Sequence, residues 1–223
     1  IAGPVIAITG TNGKTSTKEM LAGALRTRYA VHATRANLNN LIGVPLTILE
    51  APAATDALVV EAGASIPGEI PRARTIIEPD ITVVTNAVAG HLEGFGSLAG
   101  VIEEKLALTD RVERAIVGPD PAELAEGARQ RAKRVRTAGL RASDLVPENV
   151  VLGEDARPIM TIVGQTFTLA ARGLHQADNA VRAWAVIEAL GLDRAAAARA
   201  LERFSIPGGR GELMQVGGLT ILN

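Results

Sequence analysis

VIAITGTNGKTS, from Val5 to Ser16, is the stretch whose reading decides the fold. An apolar run, Val5 to Ile8, enters a Gly-rich turn. Lys14, Thr15 and Ser16 follow at once, and then a segment of helical character. This order builds a phosphate cradle. Backbone N–H groups of the turn and of a helix N-terminus point at an anion, and the helix dipole adds positive potential there. Lys14 suits the outer phosphates, and the Thr15 hydroxyl suits a magnesium ion. The common P-loop places Gly, four residues, then Gly-Lys-Ser/Thr. Here Ile8 stands where that first Gly belongs, so the loop is the shorter Gly10, Thr11, Asn12, Gly13, Lys14, Thr15.

Outward from the loop, short apolar runs alternate with helical patterns. Candidate strands are Val5–Thr9, Ala57–Glu61, Ile81–Asn86 and Ala115–Val117. A helix is expected over Lys18–Arg28, and a second from an N-cap at Ser97 through Leu108. Near-continuous Val/Ile strands separated by helices indicate a parallel sheet covered on both faces. Ligands of such sheets sit at the carboxyl ends of the strands, where the loop, Glu61 and Asn86 would meet. After about Pro147 the pattern becomes strand-like, and Gly164-Gln165 reads as a two-residue hairpin turn with Gly first. Helices follow from about Gln176 to Leu190, stopped by Gly191, and from Asp193 to near Phe204. A short strand, Leu219–Leu222, closes the sequence. The expected fold is α/β: a three-layer P-loop-type domain with a mainly parallel central sheet and a small antiparallel β appendage at about 148–172.

Composition excludes several classes. The 223 residues are 47% hydrophobic, enough for a full core, but only 2% aromatic, so that core is Ala, Val, Leu and Ile. With no cysteine, disulfides, thiolate metal sites and a Cys nucleophile are ruled out. A net charge of −1 argues against a broad grip on nucleic acid. The locally basic Arg129 to Arg141 reads as a solvated helix face and loop. No apolar run reaches the ~18 residues of a membrane span, and no signal peptide opens the chain. A cytoplasmic protein is expected, and the start without Met fits an excised domain.

Several residues admit both a chemical and a structural reading. Glu61 ends a buried strand, where a magnesium ion at the loop would compensate its charge; otherwise it faces water. His91, in a Gly-rich loop past a strand end, suits a metal or a phosphate, or is merely solvated. Lys105 is either an exposed helix lysine or a lysine carbamylated by carbon dioxide into a carboxylate-like metal ligand. Arg210, in PGGRGE, suits a phosphate or is a solvated loop arginine. His175 and Asn179 open the late helix. His32 shows no pattern and reads as a surface residue. Asn37, Asn39 and Asn40 carry amides that suit loop capping and also ligand contacts, and they read as turn residues.

Together, TGTNGKTS, NLNNLIGVP, EAGASIPGEI, TNAVAGHLEGFGS, the His175…Asn179 pair and PGGR follow the order seen in the ATP-dependent Mur ligases. The chain resembles their central ATP-binding domain over residues 1–223, and NLNNLIGVP, GEI and HLEGFGS resemble the members that add D-Ala-D-Ala to a UDP-MurNAc-tripeptide. The resemblance implies ATP and Mg2+ as cofactors and an acyl phosphate intermediate in peptidoglycan precursor synthesis. It implies that Gly10 to Ser16 hold the ATP phosphates and that Lys14 stabilises the transferred phosphoryl group. Thr15 and Glu61 would bind one magnesium ion; His91 would help bind a second, with Lys105 if carbamylated. Asn179 would contact the adenine end and Arg210 a phosphate. It further implies that the N-terminal UDP-substrate domain and the C-terminal domain are absent, that UDP-MurNAc-peptide and D-Ala-D-Ala are partners of the full-length parent only, and that the chain binds nucleotide without ligating; a monomer is expected. Two alternatives stand beside it: the central domain of another Mur or folylpolyglutamate-synthase-like ligase, against which NLNNLIGVP and HLEGFGS argue, and a non-ligase P-loop module, which would want an Asp-rich strand end.

Overall fold

The computed structural model describes residues 1–89, 92–204, 213–217 and 219–222. Six strands form an all-parallel sheet: β1 (Val5–Thr9), β2 (Val31–Ala33), β3 (Ala57–Glu61), β4 (Ile81–Val84), β5 (Arg114–Val117) and β6 (Arg134–Thr137), in the order β2-β3-β1-β4-β5-β6. β1 lies between β3 and β4, so the chain first builds one side of β1 and then reverses to build the other. In open parallel sheets a ligand crevice opens at such a reversal, at the carboxyl ends of the strands.

Alternation along the strands divides the core into layers. Ile6 and Ile8 of β1 face helices α1 (Lys14–Leu25), α7 (Leu174–Ala189) and α8 (Arg194–Leu201), meeting Met20, Leu21, Trp184 and Leu201. Ala7, Leu58 and Val60 face the other way, onto Val44 of α2 (Gly43–Leu49) and Ile70 and Ala73 of α3 (Glu69–Ile77). That second layer continues under β4 and β5, where Val84 and Val117 meet Val101 of α5 (Leu98–Leu106) and Leu124 of α6 (Ala122–Arg129). The short α4 (Leu92–Phe95) leads into α5. Among the described residues no helix is long and apolar enough to cross a membrane.

The appendage is a three-stranded antiparallel sheet, β7 (Asn149–Leu152), β8 (Pro158–Ile162) and β9 (Gln165–Thr168). Met160, Ile162 and Phe167 belong to the same core as α7, and the Phe167 and Trp184 rings stack at 5.5 Å. A two-stranded hairpin, β10 (Leu213–Val216) and β11 (Leu219–Leu222), follows.

Five sequence expectations need correction. α1 starts at Lys14, not Lys18, because Gly13 turns the chain straight out of the loop with φ of 82°. β4 ends at Val84, two residues before Asn86, because Thr85 and Asn86 turn their side chains onto the phosphate loop. The hairpin turn is Val163-Gly164, with Gly second: both φ values are positive, 49° and 74°, as a type I′ turn demands. His32 is not on the surface; it is 7% exposed, inside β2. The basic Arg129–Arg141 stretch is the end of α6 and then an edge strand, β6. Its charges are matched locally: Arg131 pairs with Glu103, Lys133 with Glu113 and Arg136 with Glu188.

Candidate active site at the sheet reversal

The loop leaving β1 is held from the β4 side. Asn86 accepts the Asn12 N–H on its Oδ1 at 3.0 Å, and Thr85 Oγ1 donates to the Asn12 carbonyl at 2.6 Å. The Thr11 N–H donates to the Asn86 carbonyl at 3.1 Å, and Thr11 Oγ1 lies between the Val88 N–H and carbonyl. These bonds fix an open turn at the start of α1. Gly13 caps that helix in a left-handed conformation, and a Cβ there would come within 2.3 Å of Asn179 Oδ1. Only glycine meets both demands. Asn179, near the start of α7 and 4% exposed, therefore lies directly against the loop.

Lys14 is the first residue of α1, and its Nζ donates to the carbonyls of Gly10 at 2.8 Å and Thr11 at 3.0 Å. The ammonium thus sits at the loop, as a group meant for phosphate oxygens must. One residue on, Thr15 Oγ1 donates to Glu61 Oε1 at 3.3 Å. Glu61, last in β3, is 1% exposed. Its Oε1 also accepts from Asn39 Nδ2 at 2.9 Å, and its N–H donates to Thr34 Oγ1 at 2.9 Å. Its Oε2 is buried with no hydrogen-bond partner among the described residues. A buried carboxylate with one bare oxygen is costly unless a cation completes it.

A magnesium ion fits this arrangement. Mg2+ binds through one or two carboxylates, with substrate phosphates and waters filling the remaining positions. Among the described residues no cluster of three His, Asp or Glu exists that could cage a metal by protein ligands alone. Glu61, the Thr15 hydroxyl and an anion in the cradle would make the sparser kind of site. A cavity of about 520 Å³ opens on them, lined by Thr11 to Ser16 and by Asn37, Asn39 and Glu61.

Lys105 is buried, at 3% exposure, inside the last turn of α5, with its Nζ 5.4 Å from the centre of the Phe95 ring. Burial, then the charge of Lys14, pull its pKa down to about 8, against a smaller upward pull from Glu104 and Glu69. The exposed-lysine reading is thereby overturned. Glu104 beside it accepts the N–H groups of Gly68 and Ile70 at 2.8 and 2.7 Å, tying α5 to the segment that follows Glu61.

The structure therefore brings Lys14, Thr15, Glu61 and Asn179 together around Gly10–Ser16, with Lys105 close enough to feel the charge of Lys14. His91 and Arg210 lie outside the described residues. Asn39, read from the sequence as a turn residue, donates to Glu61 Oε1 in the structure. Its neighbour Asn40 does act as a turn residue, accepting the N–H groups of Ile42 and Gly43 at 3.1 and 2.8 Å. Nothing in the string NLNN distinguishes the two; only the approach of that loop to the end of β3 does.

Fold and site together define a mononucleotide-binding α/β domain, with its phosphate loop and acidic partner at the reversal point of a parallel sheet. The model of the Mur ligase middle domain matches residues 8–187. The chain belongs to that family. It is 34% identical over 226 residues to UDP-N-acetylmuramoyl-tripeptide–D-alanyl-D-alanine ligase of Bacillus subtilis, an overlap covering 98% of this chain and 49% of that protein. MurF from Acinetobacter baumannii superposes with a TM-score of 0.90 at 29% identity, covering 98% of this chain and 50% of the other. MurF from Thermotoga maritima in complex with ADP gives 0.84 at 27% identity, covering 100% and 53%. The chain spans about half the length of these relatives.

Proposed function

We propose that this chain is the ATP-binding unit of a ligase that joins D-Ala-D-Ala to the peptide of a UDP-MurNAc-tripeptide, in the cytoplasm, as a monomer. The observation that carries the reading is Glu61: a buried carboxylate with a bare oxygen, facing the hydroxyl that follows the phosphate-loop lysine. In the reaction a substrate carboxylate oxygen attacks the γ-phosphorus of ATP and ADP leaves. The amine of D-Ala-D-Ala then attacks the acyl phosphate, phosphate leaves, and one proton is lost as the amide forms. Such chemistry asks the protein mainly for alignment and neutralised charge.

The loop amides and Lys14 bind and align the phosphates. Thr15 and Glu61 would hold one magnesium ion, whose contribution is to neutralise charge on the phosphate oxygens. Asn179 would contact the nucleotide at its adenine end, a reading supported by its position against Gly13 of the loop. His91 would contribute to a second metal position and Arg210 a phosphate contact. Lys105 would join that second position as a carbamate. Its lowered pKa supports this, since only the neutral amine adds to carbon dioxide and a pKa of about 8 leaves an appreciable fraction neutral near pH 7. The relatives are about twice as long, so the complete reaction is proposed for a protein of their length, with UDP-substrate and C-terminal domains flanking this one.

Calorimetry with ADP and Mg2+ tests the binding half, and product analysis with ATP, UDP-MurNAc-tripeptide and D-Ala-D-Ala tests the rest. The 223-residue chain should bind ADP yet form no amide, whereas the parent of full length should form it. Amide formation by the chain alone, or none by the parent, would refute the assignment.

A further inference from the structure

Lys18 is one of the largest fully buried side chains of the protein, at 0% exposure, and nothing in the phosphate chemistry above uses it. A buried ammonium carries a desolvation cost that a methionine of similar length would avoid. What it holds is specific. Its Nζ pairs with Glu19 at 2.7 Å and donates to the carbonyl of Thr34 at 2.6 Å. Thr34 is a junction. Its own N–H donates to the Val59 carbonyl at 3.0 Å, and its Oγ1 accepts the N–H of Glu61 at 2.9 Å. Five residues further on, Asn39 delivers its amide to Glu61 Oε1.

Thr15 and Lys18 stand three residues apart, on one face of α1. The helix therefore grips Glu61 at two points: the carboxylate through Thr15, and the backbone through Lys18 and Thr34. Asn39, at the end of the segment that Thr34 starts, occupies Oε1 a second time. Together these bonds engage Oε1 twice and leave the buried Oε2 without a hydrogen-bond partner among the described residues.

Building on the assignment of Glu61 to a magnesium ion, we propose that Lys18 is a positioning residue for that ion: through Thr34 it fixes the main chain of Glu61 and so holds its carboxylate in place for the cation. It touches neither nucleotide nor metal. Groups that orient a metal ligand typically change metal affinity by ~10–100-fold when removed.

The test is ADP binding by titration calorimetry, with and without Mg2+, on the 223-residue chain and its Lys18→Met variant. The variant should bind metal-free ADP within about twofold of the parent chain and lose most of the affinity gained from Mg2+, about tenfold or more. On a Glu61→Gln background the same change should add nothing. Equal losses with and without metal would mean a merely structural role and overturn the proposal. So would an undiminished magnesium gain, or a further loss on the Glu61→Gln background. Should Lys18→Met not fold, Thr34→Val cuts the relay one link later by removing the acceptor of the Glu61 N–H; it must show the same selective loss, and an intact magnesium gain there refutes the relay. If the parent chain's affinity for ADP ignores Mg2+, the metal assignment and the relay both fall, and that is visible before any variant is made.

Discussion

At the residue scale, Lys14 is the sharpest lever. Its Nζ donates to the loop carbonyls of Gly10 and Thr11, and the residue is only part-buried, so Lys14→Ala removes charge at the cradle without opening the core. ADP affinity should fall by about tenfold or more, as expected for a charge-assisted phosphate contact of ~1.5–3 kcal/mol, with an unchanged circular dichroism spectrum. Equal affinity would contradict the cradle. Lys105 makes a prediction about pH. Its ammonium loses its proton near pH 8 in the folded chain but only near 10.5 once exposed. Between those values the unfolded state binds more protons, so stability rises with pH across that window; below it, the buried charge costs the fold its full penalty. In buffer free of carbon dioxide, the unfolding free energy should therefore climb from pH 8 to 10, and Lys105→Met should remove that climb and raise the melting temperature at pH 7. A variant with the same slope as the parent would show that Lys105 is not the group responsible.

At the scale of elements, legibility followed the strength of local signals. β1, β3 and the loop between β1 and α1 announced themselves, because apolar runs, glycines and a Lys-Thr pair each have one dominant physical meaning. Ser97 was equally plain: its side chain accepts the Gly100 N–H at 3.1 Å. Ser97→Ala should cost about 1 kcal/mol in chemical denaturation, and, because α5 carries Lys105, it tests whether that lysine's pKa moves with the helix. β2 and β6 were not legible. β2 has three residues, too few for a period, and β6 reads Arg-Val-Arg-Thr, a polar edge strand whose identity comes from pairing with β5. The chemistry divides in the same way. Lys14, Thr15 and Glu61 could be singled out as candidates because residue type and position along an element agreed, and the fold brings them to one place. Asn39, Lys18 and Thr34 could not, since each acts only where separate segments converge in space.

At the scale of the molecule, the appendage is bound into the main core. Phe167 of β9 stacks on Trp184, the chain's single tryptophan, at an interplanar angle of 13°. Trp184 fluorescence and far-UV ellipticity should therefore report one coincident unfolding transition, and Phe167→Ala should lower its free energy by ~3–5 kcal/mol while keeping it single. Two separated transitions would show that the antiparallel sheet unfolds independently.

The central place of β1 has a last consequence. The cradle is assembled from the loop after β1, from Glu61 at the end of β3 and from Thr85 and Asn86 beyond β4, three stretches that meet only when both neighbours have docked on β1. Nucleotide occupancy is thus a reporter of completed assembly. A truncated chain that keeps the loop but ends before β3 should not bind ADP at all. In the intact chain, ADP at a hundred times its dissociation constant should add ~2.7 kcal/mol to the free energy of global unfolding, because no partly assembled form presents the site.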